Sequence, residues 1–347
     1  MRSSLSERRV RVLALGPLLS RGLLVADAPD VWRRPRTRLP VHLARTKTSV
    51  RAARPTARGS EALAQHVRRV LHGGWAWHRR GRTDGYPIAV VTFDGGFVLL
   101  DPGRGTVRHH YPAALAAGYG DLRRRFGRHV PSPGFEVLDG GRVVVEEYVD
   151  GAYLTDLPPQ DQIDAVGGLV HRYADLTRSE AEGTCADVVR ELDEVLRWDL
   201  PTDFRTALAA PWLTEALRRW PLVPSATDAH PKNLVVAAGR TAVVDLGTVR
   251  LEPFCGFPVG VVLHTSPHVL GGFLEGALDA PFGALLAAAG ARPDELPGWR
   301  TTLLALRLAR TARRGVVSSG VGLVSGPELV VQRWAAVRAA LARGAPG

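Results

Sequence analysis

One stretch, Ser225 to Val249, constrains the fold of this 347-residue chain more than any other. It reads SATDAHPKNLVVAAGRTAVVDLGTV, and its two apolar runs, Leu234–Val236 and Thr241–Val244, flank a turn that contains glycine. This pattern predicts a β-hairpin. Antiparallel pairing of the runs would bring Asn233 and Asp245 to the same open end of the hairpin, on neighbouring strands about 5 Å apart.

Asp228 precedes Asn233 by a short loop and can face the same space. A carboxylate and an amide oxygen suit Mg²⁺, which takes one or two protein oxygens and completes its shell with water and phosphate oxygens. The second carboxylate is then free to accept a hydroxyl proton. The constellation predicts phosphoryl-transfer chemistry, although Asp and Asn are also ordinary turn formers, and that structural alternative stays open.

Two segments resemble one known family. Asp228-Ala-His-Pro-Lys-Asn233 with Asp245-Leu-Gly247 resembles the D-x-x-x-x-N catalytic loop and the D-F-G segment of the protein-kinase-like fold. His230-Pro231 is similar to the branch typified by aminoglycoside and other small-molecule phosphotransferases. Upstream, the sequence VVVEEYVDGAYL at Val143–Leu154 resembles the last N-lobe strand of that branch and the hinge that receives adenine.

The resemblance implies an α+β fold of two lobes, a small β-rich one and a larger helical one, with ATP and Mg²⁺ as cofactors. It assigns the catalytic base or hydroxyl-orienting role to Asp228, and the metal-ligand roles to Asn233 and Asp245. His230 is expected to hold the loop through a buried hydrogen bond or to take part in catalysis. Lys232 either approaches the transferred phosphate or faces solvent.

Three features depart from the family pattern. The turn Asp94-Gly-Gly96 is shorter than G-x-G-x-x-G, and Ala226-Thr227 stands where the family usually shows His-Gly. No lysine is available on the third strand, where Arg108 is the nearest cation, with Asp121 the nearest carboxylate to orient it; Arg108 is otherwise a surface arginine. The resemblance places the nucleotide contacts at Gly95, Gly96, Arg108, Glu146, Glu147, Tyr148 and Val149.

The net charge of +11 is unevenly distributed along the chain. Residues 1–60 hold 14 of the 45 basic and 3 of the 34 acidic side chains, so that the remainder is neutral. The basic character therefore belongs to an N-terminal extension, and neither nucleic acid nor a membrane is an expected partner. Two cysteines and no long apolar run favour a reducing, cytoplasmic location.

The pattern along the chain predicts three regions. Residues 1–60 form a basic, flexible extension, residues 61–150 the small lobe, and residues 151–347 the helical lobe. The predicted elements of the small lobe are a helix over 61–71, strands over 88–93, 97–100, 106–111, 135–138 and 142–148, and a helix over 112–127. The predicted helices of the second lobe are 160–177, 188–196, 212–220, 267–278, 281–289, 299–313 and 327–342.

Three functions remain open at this stage. The first is an ATP-dependent kinase of a hydroxyl group on a small natural product or metabolite. The second is a Ser/Thr kinase of a ribosomally made precursor peptide, whose acidic part would dock on the basic extension. The third is a catalytically weak or inactive kinase-like module, suggested by the missing lysine and the short glycine turn.

Overall fold

The structure, a computed structural model, describes residues 25–28, 31–33, 88–91, 97–101, 103–111, 113–247, 249–314, 317–319, 322–324 and 326–344. The chain divides into two compact units, one of Met1–Ala117 with Pro133–Asp150 and one of Gly118–Ser132 with Gly151–Gly347. The predicted helix over 61–71, the turn with Gly95 and Gly96, and most of residues 1–60 lie outside the described residues.

The first unit is built on one antiparallel sheet. Its strands are β1 (Val25–Ala28), β2 (Val31–Arg33), β3 (Ile88–Val91), β4 (Phe97–Asp101), β5 (Thr106–His110), β6 (Phe135–Leu138) and β7 (Val143–Glu147). They are ordered β1-β2-β3-β4-β5-β7-β6. The predicted strands of the small lobe are confirmed, and β1 and β2, which lie within the predicted extension, pair onto the edge of this sheet at β3.

The second unit is mainly helical. Its helices are α1 (Tyr119–Gly127), α2 (Pro159–Glu180), α3 (Ala186–Val195), α4 (Thr202–Leu208), α5 (Pro211–Arg219), α6 (Gly256–Thr265), α7 (Pro267–Glu275), α8 (Asp279–Ala288), α9 (Trp299–Arg314) and α10 (Gly326–Gly344). The predicted helices of the second lobe are all present within a few residues of their expected ends. The sequence analysis missed α4 and α6. The predicted α+β class, with a small β-rich part and a larger helical part, is confirmed.

Short strands connect the helices of this second unit. They are β8 (Ala152–Tyr153), β9 (Leu222–Ala226), β10 (Leu234–Ala237), β11 (Arg240–Val243), β12 (Val249–Pro253), β13 (Val317–Ser319) and β14 (Gly322–Val324). Strand β10 lies between β11 and β8, β9 pairs with β12, and β13 pairs with β14. The pairs β10–β11 and β9–β12 therefore bracket the loop that contains Asp228.

Helix α1 differs from its prediction in both extent and place. It begins at Tyr119 rather than at residue 112, because Gly118 adopts the left-handed conformation at φ 82° and interrupts the helical path. The helix packs against β9 and β12, and it belongs to the second unit rather than to the small lobe. Arg125 fixes it to α2 through a 2.8 Å hydrogen bond from Nε to Glu180 Oε2.

An aromatic cluster anchors the strand that leads into the Asp228 loop. Tyr173 of α2 is fully buried, stacks on Phe257 of α6 at 5.5 Å and meets Phe126 of α1 edge-on at 5.9 Å. Its hydroxyl lies 3.1 Å from Ser225 Oγ in β9. Rings of this size bury about 150–250 Å² each, so three helices and β9 are held together one strand residue before the loop begins.

In the described part of the chain, no single helix is long and apolar enough to cross a membrane. Helices α7 and α8 reach that length only as a pair, which is bent by 72° at their junction.

The β10–β11 hairpin forms in the predicted register. Leu234 pairs with Val243 and Val236 with Thr241. The two residues at its tip, Ala238 and Gly239, both have positive φ, at 47° and 71°. Two-residue hairpin loops with both central φ values positive are type I′ turns, in which Asn and Gly are favoured and Ala is strained.

Replacing Ala238 with Gly should therefore stabilise the protein. We expect the free energy of unfolding to rise by about 0.5–1 kcal/mol, because the left-handed conformation costs a residue with a Cβ about 1–2 kcal/mol and glycine gives back part of this as backbone entropy. Denaturant unfolding measures the change. The matched control is Ala237→Gly, one residue earlier in β10, which should destabilise; a loss of stability in both variants would contradict the turn assignment.

Candidate active site

The loop between β9 and β10 fixes the carboxylate of Asp228 through both of its oxygens. The backbone N–H of His230 donates to Asp228 Oδ1 at 3.2 Å, and Asn233 Nδ2 donates to Asp228 Oδ2 at 3.0 Å. The loop closes with a 2.8 Å bond from the Asn233 N–H to the His230 carbonyl, within a short 3₁₀ turn. Asp228 itself is exposed. The chain thus holds an oriented carboxylate towards solvent.

The orientation of the Asn233 amide follows from its partner. An ionised carboxylate accepts hydrogen bonds only, so the NH₂ group of Asn233 must face Asp228. This leaves Oδ1 on the other side of the amide as a neutral oxygen donor. Asn233 is 6% exposed, and its backbone carbonyl accepts a 2.8 Å bond from the Val244 N–H. The amide is therefore held by both the loop and the hairpin.

Asp245 follows directly on the residue that bonds to Asn233. The hairpin register delivers it to the end of β11, as predicted, and its side chain is half-buried. Its φ of 58° is in the left-handed region, which few residues other than glycine adopt, although Asp is among the more tolerant. Such strained backbone tends to occur at functional positions, where the surrounding structure enforces it.

The fit of these residues to a metal ion can be judged from their donor set. No group of three or more His, Cys, Asp or Glu residues that could hold a metal occurs in the described ranges. Mg²⁺ does not require one, because it keeps several waters and uses one or two protein oxygens besides substrate phosphates. The carboxylate of Asp245 and the Oδ1 atom of Asn233 match that requirement.

Tyr119 holds the segment after Asp245 in place. Its hydroxyl donates a 2.5 Å hydrogen bond to the backbone carbonyl of Leu246 and accepts a 2.8 Å bond from Arg123 Nη1. All three residues are buried. Tyr119 lies 127 positions before Leu246, and no sequence pattern links them, so sequence reasoning missed this contact.

Arg307 holds the start of the loop. Its Nη2 donates to the Thr227 carbonyl at 3.3 Å, from helix α9, 80 positions away. The helix α6 behind the loop makes room for it with a glycine: a Cβ at Gly260 would lie 2.6 Å from the Cβ of Ala229 and 2.9 Å from Arg307 Nε. The start of the loop is thus supported by an arginine that sequence reasoning did not find.

His230 and Lys232 are the two other predicted loop residues, and the structure describes the side chain of His230 only. His230 is exposed rather than buried, and the bonds described above that hold the loop at this position come from its backbone. Its expected buried side-chain role is therefore not met. For Lys232 the backbone lies in the 3₁₀ turn, while its side chain lies outside what the structure describes.

The predicted hinge residues lie in the first unit, where Glu146 has a core role. It is 3% exposed, and its Oε2 lies 3.0 Å from Nε2 of His109, which is itself 4% exposed. Arg108 pairs across the sheet with Val145 and Leu99, on the opposite face from His109 and Glu146. Arg108 and the Glu146 carboxylate therefore do not share a side of the sheet.

The next hinge residues present mainly backbone. Glu147 is exposed, and its Oε2 accepts a 3.2 Å bond from the Gly134 N–H. The Glu147 and Tyr148 N–H groups bond to the carbonyls of Gly134 and Gly105, at 3.0 Å and 2.8 Å. Val149 is half-buried. The N–H groups of Glu147 and Tyr148 are thus already paired within the first unit, and the side chain of Glu146 lies in the core.

Comparisons with known proteins give structural likenesses only. No protein-family model and no curated protein matches the chain. Among solved structures, an aminoglycoside phosphotransferase from Streptomyces rimosus aligns at 16% identity and TM-score 0.40, covering 62% of this chain and 91% of that one. A choline/ethanolamine kinase family protein from Mesorhizobium loti aligns at 15% identity and TM-score 0.45, covering 71% and 85%.

A glucosamine kinase in complex with glucosamine, ADP and inorganic phosphate aligns at 20% identity and TM-score 0.42, covering 72% of this chain and 74% of that one. By their names these three proteins are phosphotransferases or kinases, which is the class that the loop sequence resembles. Because all three TM-scores are below 0.5, the likenesses carry no inference about activity or acceptor.

Replacing Tyr119 with Phe tests the support of the segment after Asp245. We expect the free energy of unfolding to fall by about 1–3 kcal/mol, because the buried carbonyl of Leu246 loses its donor and the buried guanidinium of Arg123 loses an acceptor. Denaturant unfolding measures the loss. Tyr148→Phe, whose hydroxyl makes no hydrogen bond within the described residues, is the matched control; equal stability of both variants would contradict the role of Tyr119.

His264 on α6 gives the stability a pH dependence. Burial first, and then the neighbouring charges of Arg307, Arg333 and His230, lower the pKa of His264 to about 3 from 6.5. Below pH 6.5 the unfolded chain binds a proton that the folded chain does not, so stability is lost as the pH falls from about 6.5 towards 3. One such proton accounts for at most about 1.4 kcal/mol per pH unit.

The variant His264→Gln should flatten this dependence between about pH 7 and pH 5, where few carboxylates titrate. Unfolding free energies at several pH values measure the slope. Gln160→Ala, an exposed residue of α2 that does not titrate, is the control that should leave the slope unchanged. If the His264 variant keeps the full slope, the imidazole is protonated in the folded chain.

Proposed function

We propose that this chain is an ATP-dependent O-phosphotransferase that moves the γ-phosphate to a hydroxyl group of a small natural product or metabolite. The observation that supports it most is the exposed Asp228 carboxylate, which is oriented through both oxygens by a loop that leads into a hairpin. The amide oxygen of Asn233 at the start of that hairpin and the carboxylate of Asp245 after its second strand would form a magnesium donor set. A turn with only a structural role does not require Asp228, Asn233 and Asp245 together at one end of a hairpin.

Asp228 would act on the acceptor. The hydrogen bonds from His230 N–H and Asn233 Nδ2 fix the direction of its free lone pairs, so that an acceptor hydroxyl can be bound in one orientation. Positioning of this kind converts much of the entropic cost of the reaction into a binding cost that is met beforehand. Asp228 would then take the hydroxyl proton as the new oxygen–phosphorus bond forms and the bond between the γ-phosphorus and the departing ADP breaks.

Asn233 and Asp245 would hold Mg²⁺ with their side-chain oxygens. When bound, the ion neutralises charge on the phosphate oxygens, which is where a phosphoryl-transfer transition state develops it. The protein contributes rigidity here: the hairpin, the Val244–Asn233 bond and the Tyr119–Leu246 bond restrict the movement of both ligands.

Substitutions of Asp228 and Asp245 should differ in their effects on nucleotide affinity and on phosphate transfer. Asp228→Asn keeps the proposed metal ligands and removes the proton acceptor, so nucleotide affinity should survive while transfer falls by about 10²- to 10⁴-fold. Asp245→Asn removes the charged metal ligand, so both should fall. Calorimetry with Mg²⁺·ATP measures affinity, and ADP formation with a panel of hydroxyl acceptors measures transfer.

The matched control is Asp193→Asn, an exposed carboxylate on α3, which should behave as the wild type. If Asp228→Asn retains wild-type transfer, the catalytic assignment is wrong. If the wild type shows no affinity for Mg²⁺·ATP, the chain is a non-catalytic module with the same fold class.

A further inference from the structure

Helix α9 carries four arginines in its C-terminal half, and one of them differs from the other three in its ion pairing. Arg310 pairs with two glutamates at 3.0 Å, and Arg313 pairs with a third at 2.7 Å. Arg314 also pairs with a glutamate, Glu252. Arg307, one turn before Arg310, forms no ion pair with any carboxylate in the described chain.

The position of Arg307 is next to the proposed catalytic loop. Its one hydrogen bond runs from Nη2 to the Thr227 carbonyl, at 3.3 Å, and Thr227 immediately precedes Asp228. Its Nε is buried and has no hydrogen-bond partner. Part of the side chain remains exposed. A guanidinium has five N–H donors, and most of those of Arg307 are left without a protein acceptor.

Leaving a desolvated cation without an ionic partner is costly for a folded protein. Burial lowers the pKa of Arg307, and Glu252 and Asp228 are the carboxylates that act against this. Glu252 is already shared between Arg310 and Arg314. The remaining carboxylate, Asp228, is engaged by the loop itself. Arg307 thus has N–H donors without a protein acceptor beside the loop that carries Asp228.

The charges around Arg307 are mixed: beyond the effect of burial on its pKa, Arg310 and Arg314 lower it, whereas Glu252 and Asp228 raise it. The charged neighbours that act on His264, one turn after Gly260 on α6, are Arg307, Arg333 and His230. His264 is neutral at physiological pH and can donate or accept a hydrogen bond. A cationic group of an acceptor that approached Arg307 itself would be repelled by the guanidinium.

We propose that Arg307 is the anchor for an anionic group, a carboxylate or a phosphate, that the hydroxyl acceptor carries beside the hydroxyl presented to Asp228. This inference rests on the proposed function and adds the chemical class of its acceptor. Arginine suits the task because its planar fork binds a carboxylate or phosphate through two parallel hydrogen bonds. The Thr227 contact then serves to hold the fork beside the loop when no acceptor is bound.

Inorganic sulfate is a suitable probe, because it presents the same oxygens without requiring turnover. Sulfate affinity is measured by thermal shift and by calorimetry against chloride at equal ionic strength, which allows for its general stabilising effect. We expect Arg307→Met to bind sulfate about 10- to 100-fold more weakly than the wild type, the range for lost charge-assisted hydrogen bonds. Arg307→Lys should retain most of the affinity.

The matched control is Arg313→Met, on the same helix, which should bind sulfate as the wild type does. If Arg307 only supports the loop, its variants will lose stability while their sulfate affinity stays that of the control. That result, or a wild type that binds no sulfate beyond the general effect, overturns the proposal.

A second arm separates the acceptor anion from the transferred phosphate, which has the same chemistry. Sulfate binding is repeated with saturating Mg²⁺·ADP and with saturating Mg²⁺·AMP-PNP. An acceptor site should bind sulfate in both complexes. Loss of sulfate binding with AMP-PNP alone would assign Arg307 to the γ-phosphate and overturn the acceptor assignment.

Failure of the proposed function would look different. In that case neither nucleotide would bind, while the Arg307-dependent sulfate affinity of the nucleotide-free protein would still be measurable. For an acceptor that turns over, Arg307→Met should raise KM by about 10-fold or more with a smaller change in kcat. A best acceptor that is cationic, or that has no anionic group, would refute the inference.

Discussion

The site depends on one arrangement of hydrogen bonds, in which a loop closes on the carboxylate of Asp228 and is itself attached to a hairpin through Asn233. The side chain of Asn233 bonds to Asp228, and its main chain bonds to His230 and Val244. A single residue thus links the proposed base with the strand end that carries Asp245. Because Asn233 is buried, its end of each of these bonds is shielded from water.

Supports for this arrangement converge from elements far apart in the chain. Tyr119 of α1 holds the Leu246 carbonyl, and Arg307 of α9 holds the Thr227 carbonyl. The ring of Tyr173 fixes β9, from which the loop departs. Each contact satisfies a polar group that the irregular backbone of a loop would otherwise leave unpaired. The loop that carries the proposed catalytic residue is therefore held by contacts from helices distant in sequence.

The sequence predicted the structure correctly wherever that structure depends on local spacing of residues. The hairpin register and most helix positions follow from periodicity, and the position of Asp245 at the end of β11 follows from the register. Helix α6 was missed because it is apolar on all sides and rich in β-branched residues, so it has no helical period to detect.

The Tyr119 and Arg307 contacts could not be predicted, since they join residues 127 and 80 positions apart that become neighbours only through tertiary packing. The core role of Glu146 depends in the same way on His109, across the sheet.

The glycine in the middle of α6 has a wider consequence. With no side chain at position 260, the axis of a buried helix can approach the loop until Ala229 almost touches its backbone. The distance between α6 and the loop is therefore set by glycine, the smallest residue. One added methyl group at this position would push Ala229 or Arg307 away from α6 and so displace the start of the loop. The spacing between α6 and the loop that carries Asp228 therefore depends on a residue that has no side chain.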